Sequence, residues 1–197
     1  MLPKGEVQLW LASLDQPEPI DFYLALLSPA ELSRAAQIKF PQRYRQFVVA
    51  RGILRQILAR YIQVSPLDLE IHLGEQGKPY CSWCEFNLAH SGDRLLYGFS
   101  LDQAIGVDLE LVRPRQISKL EQRLGYSPSS LLDFYRAWTG LEAVTKLAGR
   151  GIFANLANSY PASYPVVHFL PEINYMAAIA HTQPISSFRF RQWRDHQ

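Results

Sequence analysis

The sequence has little cysteine, little excess charge and no long apolar run. With 20 Lys and Arg against 18 Asp and Glu, the formal net charge is +2. The composition as a whole therefore gives no reason to expect binding to nucleic acid or to an anionic membrane surface. No apolar run approaches the roughly 18 residues needed to cross a bilayer, and the first residues lack the basic start and apolar centre of a secretion signal. We therefore expect a cytoplasmic protein.

The two cysteines, Cys81 and Cys84, are spaced as C-x-x-C. A structural zinc site needs four nitrogen or sulfur ligands at paired spacings, and no second pair follows. A redox pair is expected at the start of a helix in a βαβ unit, whereas the residues around this pair suit a loop or a short edge strand. We therefore interpret the spacing as a coincidence.

What the chain does have is a composition for a folded core, with 48% hydrophobic and 12% aromatic residues in 197. At about 150 residues per domain, this length allows one large domain or two of about 100. Apolar periodicity and turn residues predict helices followed by sheet, twice, in halves 1–103 and 104–197. The predicted helices are 28–39, 43–61, 116–124 and 127–148, and the predicted strands are 7–14, 69–73, 85–89, 94–101, 104–112, 152–153, 166–170, 173–180 and 186–191.

Acidic residues alternate with aliphatic ones over residues 105–111. A strand there places Gly106, Asp108 and Glu110 on one face, with the two carboxylates about 7 Å apart. Like charges this close repel unless a cation joins them, and carboxylate oxygens suit Mg²⁺. Gly106 leaves space for another chain or a ligand to approach. The alternative is a solvated outer face on an edge strand, where acids block edge pairing.

A second cluster lies on the last long helix predicted by the pattern. Steps of four residues place Trp138, Glu142 and Lys146 on one stripe, so an acid and a base share a face with a bulky apolar side chain. The alternative is an ordinary Glu–Lys pair beside a core tryptophan, which contributes a few tenths of a kcal/mol. Gly140, in the middle of this helix, indicates a close packing contact.

Cationic and hydrogen-bonding groups in the first half suit phosphate binding. Lys78 follows a glycine and precedes a proline at a turn, and His90 and Ser91 end a predicted strand, where an imidazole and a hydroxyl can reach one anion. Arg51 and Arg55 are predicted beside the apolar stripe of helix 43–61, partly wet and able to contact a phosphate. Each feature alone is equally explained by turn residues or by solvated arginines.

Together these clusters supply carboxylates for a metal, cations for phosphates and a candidate base, which is the inventory for phosphoryl transfer. Their order along the chain resembles the signature series of the Sfp-type 4′-phosphopantetheinyl transferases. The residues that carry the resemblance are Gly77-Lys78-Pro79, Asn87-Leu88-Ala89-His90-Ser91-Gly92, Gly106-Val107-Asp108-Leu109-Glu110 and Trp138-x-x-x-Glu142-Ala143-x-x-Lys146. The resemblance spans roughly residues 28–151, and the chain departs from it at Leu141, where the family usually has lysine.

The resemblance implies an α+β fold with pseudo-twofold symmetry, in which two similar α/β halves hold the active site and coenzyme A between them. Two internal halves favour a monomer, and the near-neutral charge gives no reason to expect a nucleic-acid or membrane partner. By similarity, Mg²⁺ is bound by the coenzyme A pyrophosphate together with three acids, Asp108, Glu110 and Glu142. The implied ligands of the coenzyme A phosphates are Lys78, His90 and Ser91, with Arg45 or Arg51 at the 3′-phosphate.

The reaction implied by the resemblance moves 4′-phosphopantetheine to a serine of an apo acyl or peptidyl carrier protein and releases 3′,5′-ADP. Glu142 or a water on the metal would remove the serine proton, and Lys146 would stabilise charge on the departing phosphate. Two alternatives stay open: another Mg²⁺-dependent phosphodiesterase or nuclease, and a non-enzymatic nucleic-acid-binding module that uses the arginine-rich helix.

Overall fold

A computed structural model describes residues 2–74, 77–114, 124, 127–149 and 164–193. Within these residues the chain is a mixture of helices and sheets, in agreement with the predicted α+β class. The helices are α1 (Ile20–Leu24), α2 (Pro29–Ala36), α3 (Pro41–Ile62) and α4 (Leu131–Leu147). The strands are β1 (Glu6–Ser13), β2 (His72–Leu73), β3 (Pro79–Tyr80), β4 (Glu85–Ser91), β5 (Arg94–Ser100), β6 (Ile105–Leu111), β7 (Val166–Phe169), β8 (Tyr175–His181) and β9 (Ser187–Gln192).

The described residues group into two compact units. The first contains residues 13–71, and the second contains residues 2–12 together with 72–193. The first unit is helical, and the second holds the three sheets and α4. The predicted pseudo-twofold relation between halves 1–103 and 104–197 stays a prediction.

In the first unit, local signals set the helix boundaries. Ser28 caps α2 through a capping box with Glu31, which places the start of this helix close to the predicted start at residue 28. Pro41 occupies the first turn of α3, where a backbone N–H has no partner within the helix, so the N–H that proline lacks is not missed. The helix therefore begins at Pro41, two residues before the predicted start. The expectation that Arg51 and Arg55 are partly exposed to water is wrong: both are buried, and the Arg55 side chain, 1% exposed, pairs with Glu31.

The second unit is built on two main sheets and a short hairpin. One sheet has the order β4-β5-β1-β9 and the other β6-β8-β7, while β2 pairs with β3. The β1–β9 pair is parallel, whereas the β2–β3, β4–β5, β6–β8 and β7–β8 pairs are antiparallel. The central apolar cluster draws on both main sheets: Val7, Leu9, Leu11, Ala89, Leu96, Ile105, Val107, Leu109, Tyr175, Ala177 and Ile179. The opposite face of the β6-β8-β7 sheet carries α4, whose apolar residues pack on Ala178 and Ala180.

Several predicted boundaries are corrected by the structure. Helix α4 begins at Leu131 and not near Ser127, because Ser130 caps it by accepting a hydrogen bond from the backbone N–H of Asp133. The predicted strand 69–73 is reduced to His72–Leu73, and α1 was not predicted. The predicted helix 116–124 lies outside the described residues except at Leu124, and the predicted strand 152–153 lies wholly outside them.

In the part of the chain that the structure describes, no helix combines the length and apolar character needed to cross a membrane.

Candidate active site

The acidic face of β6 is turned toward α4. Ile105, Val107 and Leu109 lie in the central cluster, which confirms the predicted alternation and leaves Gly106, Asp108 and Glu110 on the helix side. Asp108 is only 6% exposed, so the alternative of a solvated outer face is wrong for this residue. The glycine is required by the close approach of the helix: a Cβ at position 106 would lie 2.1 Å from the carbonyl oxygen of Ala143.

Asp108 forms the central ion pair of this face. Its Oδ1 accepts a 2.6 Å hydrogen bond from Lys146 Nζ, and the Lys146 side chain is 30% exposed. Burial raises the pKa of Asp108 to about 6, against the opposing effect of Lys146, and the neighbouring charge of Glu110 raises it further. The second oxygen, Oδ2, is buried and has no hydrogen-bond partner. The carboxylate is therefore only partly satisfied by the protein itself.

Ser91 brings the end of β4 to the same face of β6. Its hydroxyl donates to Glu110 Oε2 at 3.0 Å and accepts from the backbone N–H of Leu111 at 3.0 Å. Four residues earlier, Asn87 Oδ1 accepts from the backbone N–H of Val107 at 2.9 Å. These two side chains join β4 to β6. Sequence reasoning missed the role of Asn87, although the matching four-residue spacing of Asn87 and Ser91 was a usable signal.

Lys78 and His90 lie around the same group of charges. Lys78 Nζ donates to the backbone carbonyl of Lys146 at 3.3 Å, near the end of α4, where helix carbonyls attract cations. Partial burial lowers the pKa of Lys78, with Glu85 opposing the shift. The pKa of His90 is lowered by desolvation and then by repulsion from Lys146, with Glu110 opposing. Lys78 thus contacts Lys146, and the pKa of His90 depends on both Lys146 and Glu110.

The predicted stripe on α4 is present as a continuous helical face. Trp138 is buried and stacks on Phe134, with ring planes at 14°. Glu142 is 8% exposed and lies one turn before Lys146. Gly140 gives the close contact expected of it, because a Cβ there would lie 2.9 Å from Cε1 of His168 on β7. The helix is thus held against the sheet at both Gly140 and Gly106.

The predicted arginine ligands belong to the first unit. Arg45 is exposed on α3. Arg51 is buried, and its guanidinium carbon lies 5.5 Å from the centre of the Phe47 ring. Their assignment to the 3′-phosphate of coenzyme A stays a prediction.

The acids of β6 and α4 fit a magnesium ion by their chemistry. Among the described residues, no three His, Cys, Asp or Glu side chains already stand grouped as a metal site. The buried, unpartnered Oδ2 of Asp108 nevertheless needs a donor or a cation, and Glu110 repels its ionised form. Carboxylate oxygens are the ligands that Mg²⁺ prefers, usually one or two together with substrate phosphates.

Comparison with known proteins points to one family. A protein of Synechocystis sp. that carries the name 4′-phosphopantetheinyl transferase is 36% identical over 82% of this chain and 71% of its own length. The 4′-phosphopantetheinyl transferase HetI of Nostoc sp. is 34% identical over 91% of this chain and 89% of its own. The enzyme AcpT of Escherichia coli, with the same activity in its name, is 30% identical over 74% and 80%. No family model matches the chain.

Proposed function

The chain belongs to the 4′-phosphopantetheinyl transferases, which are enzymes, and we propose that it moves the 4′-phosphopantetheine group of coenzyme A onto a serine of an apo acyl or peptidyl carrier protein. The proposed reaction depends on Mg²⁺ and releases 3′,5′-ADP. We also propose that the chain is of the Sfp type, with the pseudo-twofold arrangement of halves which that type implies.

The observation that carries the proposal is the state of Asp108. The carboxylate is buried beside Glu110 and under α4, it is paired on one oxygen only, and its pKa is raised to about 6. Burying a carboxylate that is only partly hydrogen-bonded costs free energy. Carboxylates whose pKa values are shifted in this way cluster at binding and catalytic sites. The ionised form needed for a metal ligand predominates above pH 6.

We assign Asp108, Glu110 and Glu142 to the metal. When bound, Mg²⁺ would polarise the pyrophosphate of coenzyme A and neutralise charge on the leaving 3′,5′-ADP. Ser91 supports this role by fixing Glu110 through its 3.0 Å hydrogen bond, so that this carboxylate is oriented before any ligand arrives.

The cations of the same face are assigned to phosphate groups. Lys146 is close enough to Asp108 to neutralise it and exposed enough to reach a substrate. Its ammonium group can therefore leave the Asp108 carboxylate and bind a phosphate oxygen on which negative charge develops. Lys78 is fixed by the carbonyl of Lys146 and supplies a second ammonium. His90, with its lowered pKa, is neutral at pH 7 and acts as a hydrogen-bond partner, as does Ser91.

Glu142 is the candidate general base for the serine hydroxyl. It is a buried acid on the α4 face that also carries Lys146, and it belongs to the metal set as well. Arg45 and Arg51 on α3 are assigned to the 3′-phosphate end of coenzyme A, where a guanidinium can hold a phosphate through two parallel hydrogen bonds.

The test is the intact mass of apo carrier proteins after incubation with the purified chain, coenzyme A and Mg²⁺, with and without a chelator. We expect a gain of one phosphopantetheine that the chelator abolishes. A chain that binds coenzyme A but modifies none of a broad panel of carriers, or one that releases nucleotides from nucleic acid instead, would contradict the proposal.

A further inference from the structure

The structure brings the two cysteines of the chain into contact. Cys81 and Cys84 lie in the loop between β3 and β4, with their sulfur atoms 3.6 Å apart. Both side chains are largely buried, at 8% and 6% exposure. The sequence spacing alone had been interpreted as a coincidence, but two thiols held this close are a chemically defined pair.

The two thiols are not equivalent. Their mutual hydrogen bond is the largest influence on both: it lowers the pKa of Cys81 to about 7 and raises the pKa of Cys84 above its ordinary value. Cys81 Sγ also donates a 3.4 Å hydrogen bond to the backbone carbonyl oxygen of Cys84. The lowered pKa makes Cys81 the thiol that more readily becomes a thiolate, the form that attacks disulfides, and the raised pKa favours the protonated form of Cys84.

A metal–thiolate site is the main alternative use of such a pair. A structural zinc ion needs four ligands. Over the described parts of the chain, no group of three or more His, Cys, Asp and Glu side chains is placed to hold a metal ion. The geometry therefore favours thiol chemistry over metal binding.

We propose that Cys81 and Cys84 form a redox-modification site, which low-molecular-weight disulfides oxidise to an intramolecular disulfide. The bond requires the sulfurs to approach to about 2.05 Å. The adjustment falls on a loop, where Ser82 is exposed and no ladder of strand hydrogen bonds has to break. The inference concerns this loop and does not depend on the proposed transferase activity.

The exchange proceeds in two balanced steps. The Cys81 thiolate attacks one sulfur of the small disulfide, forming a mixed disulfide and releasing one small thiolate. The Cys84 sulfur, whose proton passes to the first released thiolate, then attacks the Cys81 sulfur and expels the second small thiolate, which takes up the proton that Cys81 had lost to solvent. Two protein thiols are oxidised by two electrons, and one small disulfide is reduced to two thiols.

The experiment uses the folded 197-residue chain, which is equilibrated with mixtures of reduced and oxidised glutathione, alkylated, and then weighed by intact mass spectrometry. We expect a population that is lighter by two hydrogen atoms, takes up no alkylating groups and grows with the oxidised fraction. A chain that keeps two alkylatable thiols in fully oxidised glutathione would overturn the proposal. So would a stable mixed disulfide on the unaltered protein, or a stoichiometric zinc ion retained by the reduced pair.

Matched single variants test which sulfur attacks. Cys84→Ser keeps a hydroxyl beside Cys81, so this variant should accumulate the glutathione mixed disulfide. Cys81→Ser leaves only Cys84, whose pKa is still raised by desolvation and by the charge of Glu85, and it should be modified at least tenfold more slowly. Equal rates in the two variants, with circular dichroism showing both folded, would contradict the assigned order of attack.

Discussion

The two units each contain an ion pair of the same length, but the two pairs differ in their hydrogen-bond partners and in their exposure to solvent. In the first unit, Arg55 Nε donates to Glu31 Oε2 at 2.6 Å, and Arg55 Nη1 donates to the carbonyls of Pro66 and Leu69 at 2.5 and 3.4 Å. In the second unit, Lys146 Nζ donates to Asp108 Oδ1, also at 2.6 Å. The guanidinium is 1% exposed and fixed to three acceptors, whereas the Lys146 side chain is 30% exposed.

The comparison shows that an unpartnered carboxylate oxygen does not by itself mark a metal site. Both acids keep one such atom, Oε1 in Glu31 and Oδ2 in Asp108. What differs is the surroundings. Glu31 accepts from the backbone N–H and hydroxyl of Ser28 and from Arg55, all with one oxygen. Asp108 has a second carboxylate, Glu110, whose charge raises its pKa. Asp108 thus has a second acid and a partly exposed lysine beside it, whereas Glu31 is enclosed by the donors of Ser28 and Arg55.

The strongest test exchanges one acid in each pair for its amide and measures carrier-protein modification. Asp108→Asn should lower the rate by at least about 100-fold, because a metal ligand worth several kcal/mol is lost. Glu31→Gln should retain most activity below its melting temperature. Comparable rates for the two variants would erase the distinction between the pairs.

The free energy of unfolding should show the opposite order, with the larger loss in Glu31→Gln. Glu31→Gln leaves the buried Arg55 without its counter-ion and should cost about 3 kcal/mol in the free energy of unfolding, measured in urea. Glutamine can still form the capping box with Ser28, so the measured loss of stability reports on the ion pair and not on the helix cap. A cost below about 1 kcal/mol would mean that the carbonyls of Pro66 and Leu69 suffice for Arg55.

Asp108→Asn should stabilise the chain in the presence of a chelator, by on the order of 2 kcal/mol at pH 8. The folded pKa of Asp108, about 6, lies above the ordinary value of 3.8, so the native state binds this proton more tightly than the unfolded chain does. Wild-type stability from this group therefore falls as pH rises from about 4 to about 6 and then levels off. Unfolding curves of both proteins at pH 4 and pH 8 check the sign, since the advantage of the variant should shrink at pH 4.

A smaller loss of stability is expected within the second unit when the Ser91 hydroxyl, which joins β4 to β6, is removed. Ser91→Ala removes the donor to Glu110 and the acceptor of the Leu111 N–H, so it should cost about 1 kcal/mol of stability. The matched control is Ser82→Ala, since Ser82 is exposed in a loop. If both variants unfold at the same urea concentration, Ser91 does not hold β4 to β6.

Local pattern predicted much of this fold, and long-range burial explains what it missed. The alternation over 105–111 and the helix start near Ser28 depend on neighbours in sequence, and both were predicted correctly. The burial of Arg55 could not be predicted from local pattern, because its acceptors Glu31 and Pro66 come from separate segments. In the same way, the pattern placed Asp108 and Lys146 on faces of a strand and a helix, but only folding puts them 2.6 Å apart.

The central claim is that Asp108 and its neighbouring acids, and not the enclosed Glu31, bind magnesium. Calorimetric titration of Mg²⁺ into the coenzyme A-bound chain tests this directly, with the wild type, Asp108→Asn and Glu31→Gln compared at pH 8. The account predicts saturable binding to the wild type and to Glu31→Gln, and at least a tenfold weaker affinity for Asp108→Asn. Equal Mg²⁺ affinity for Asp108→Asn and the wild type would contradict it.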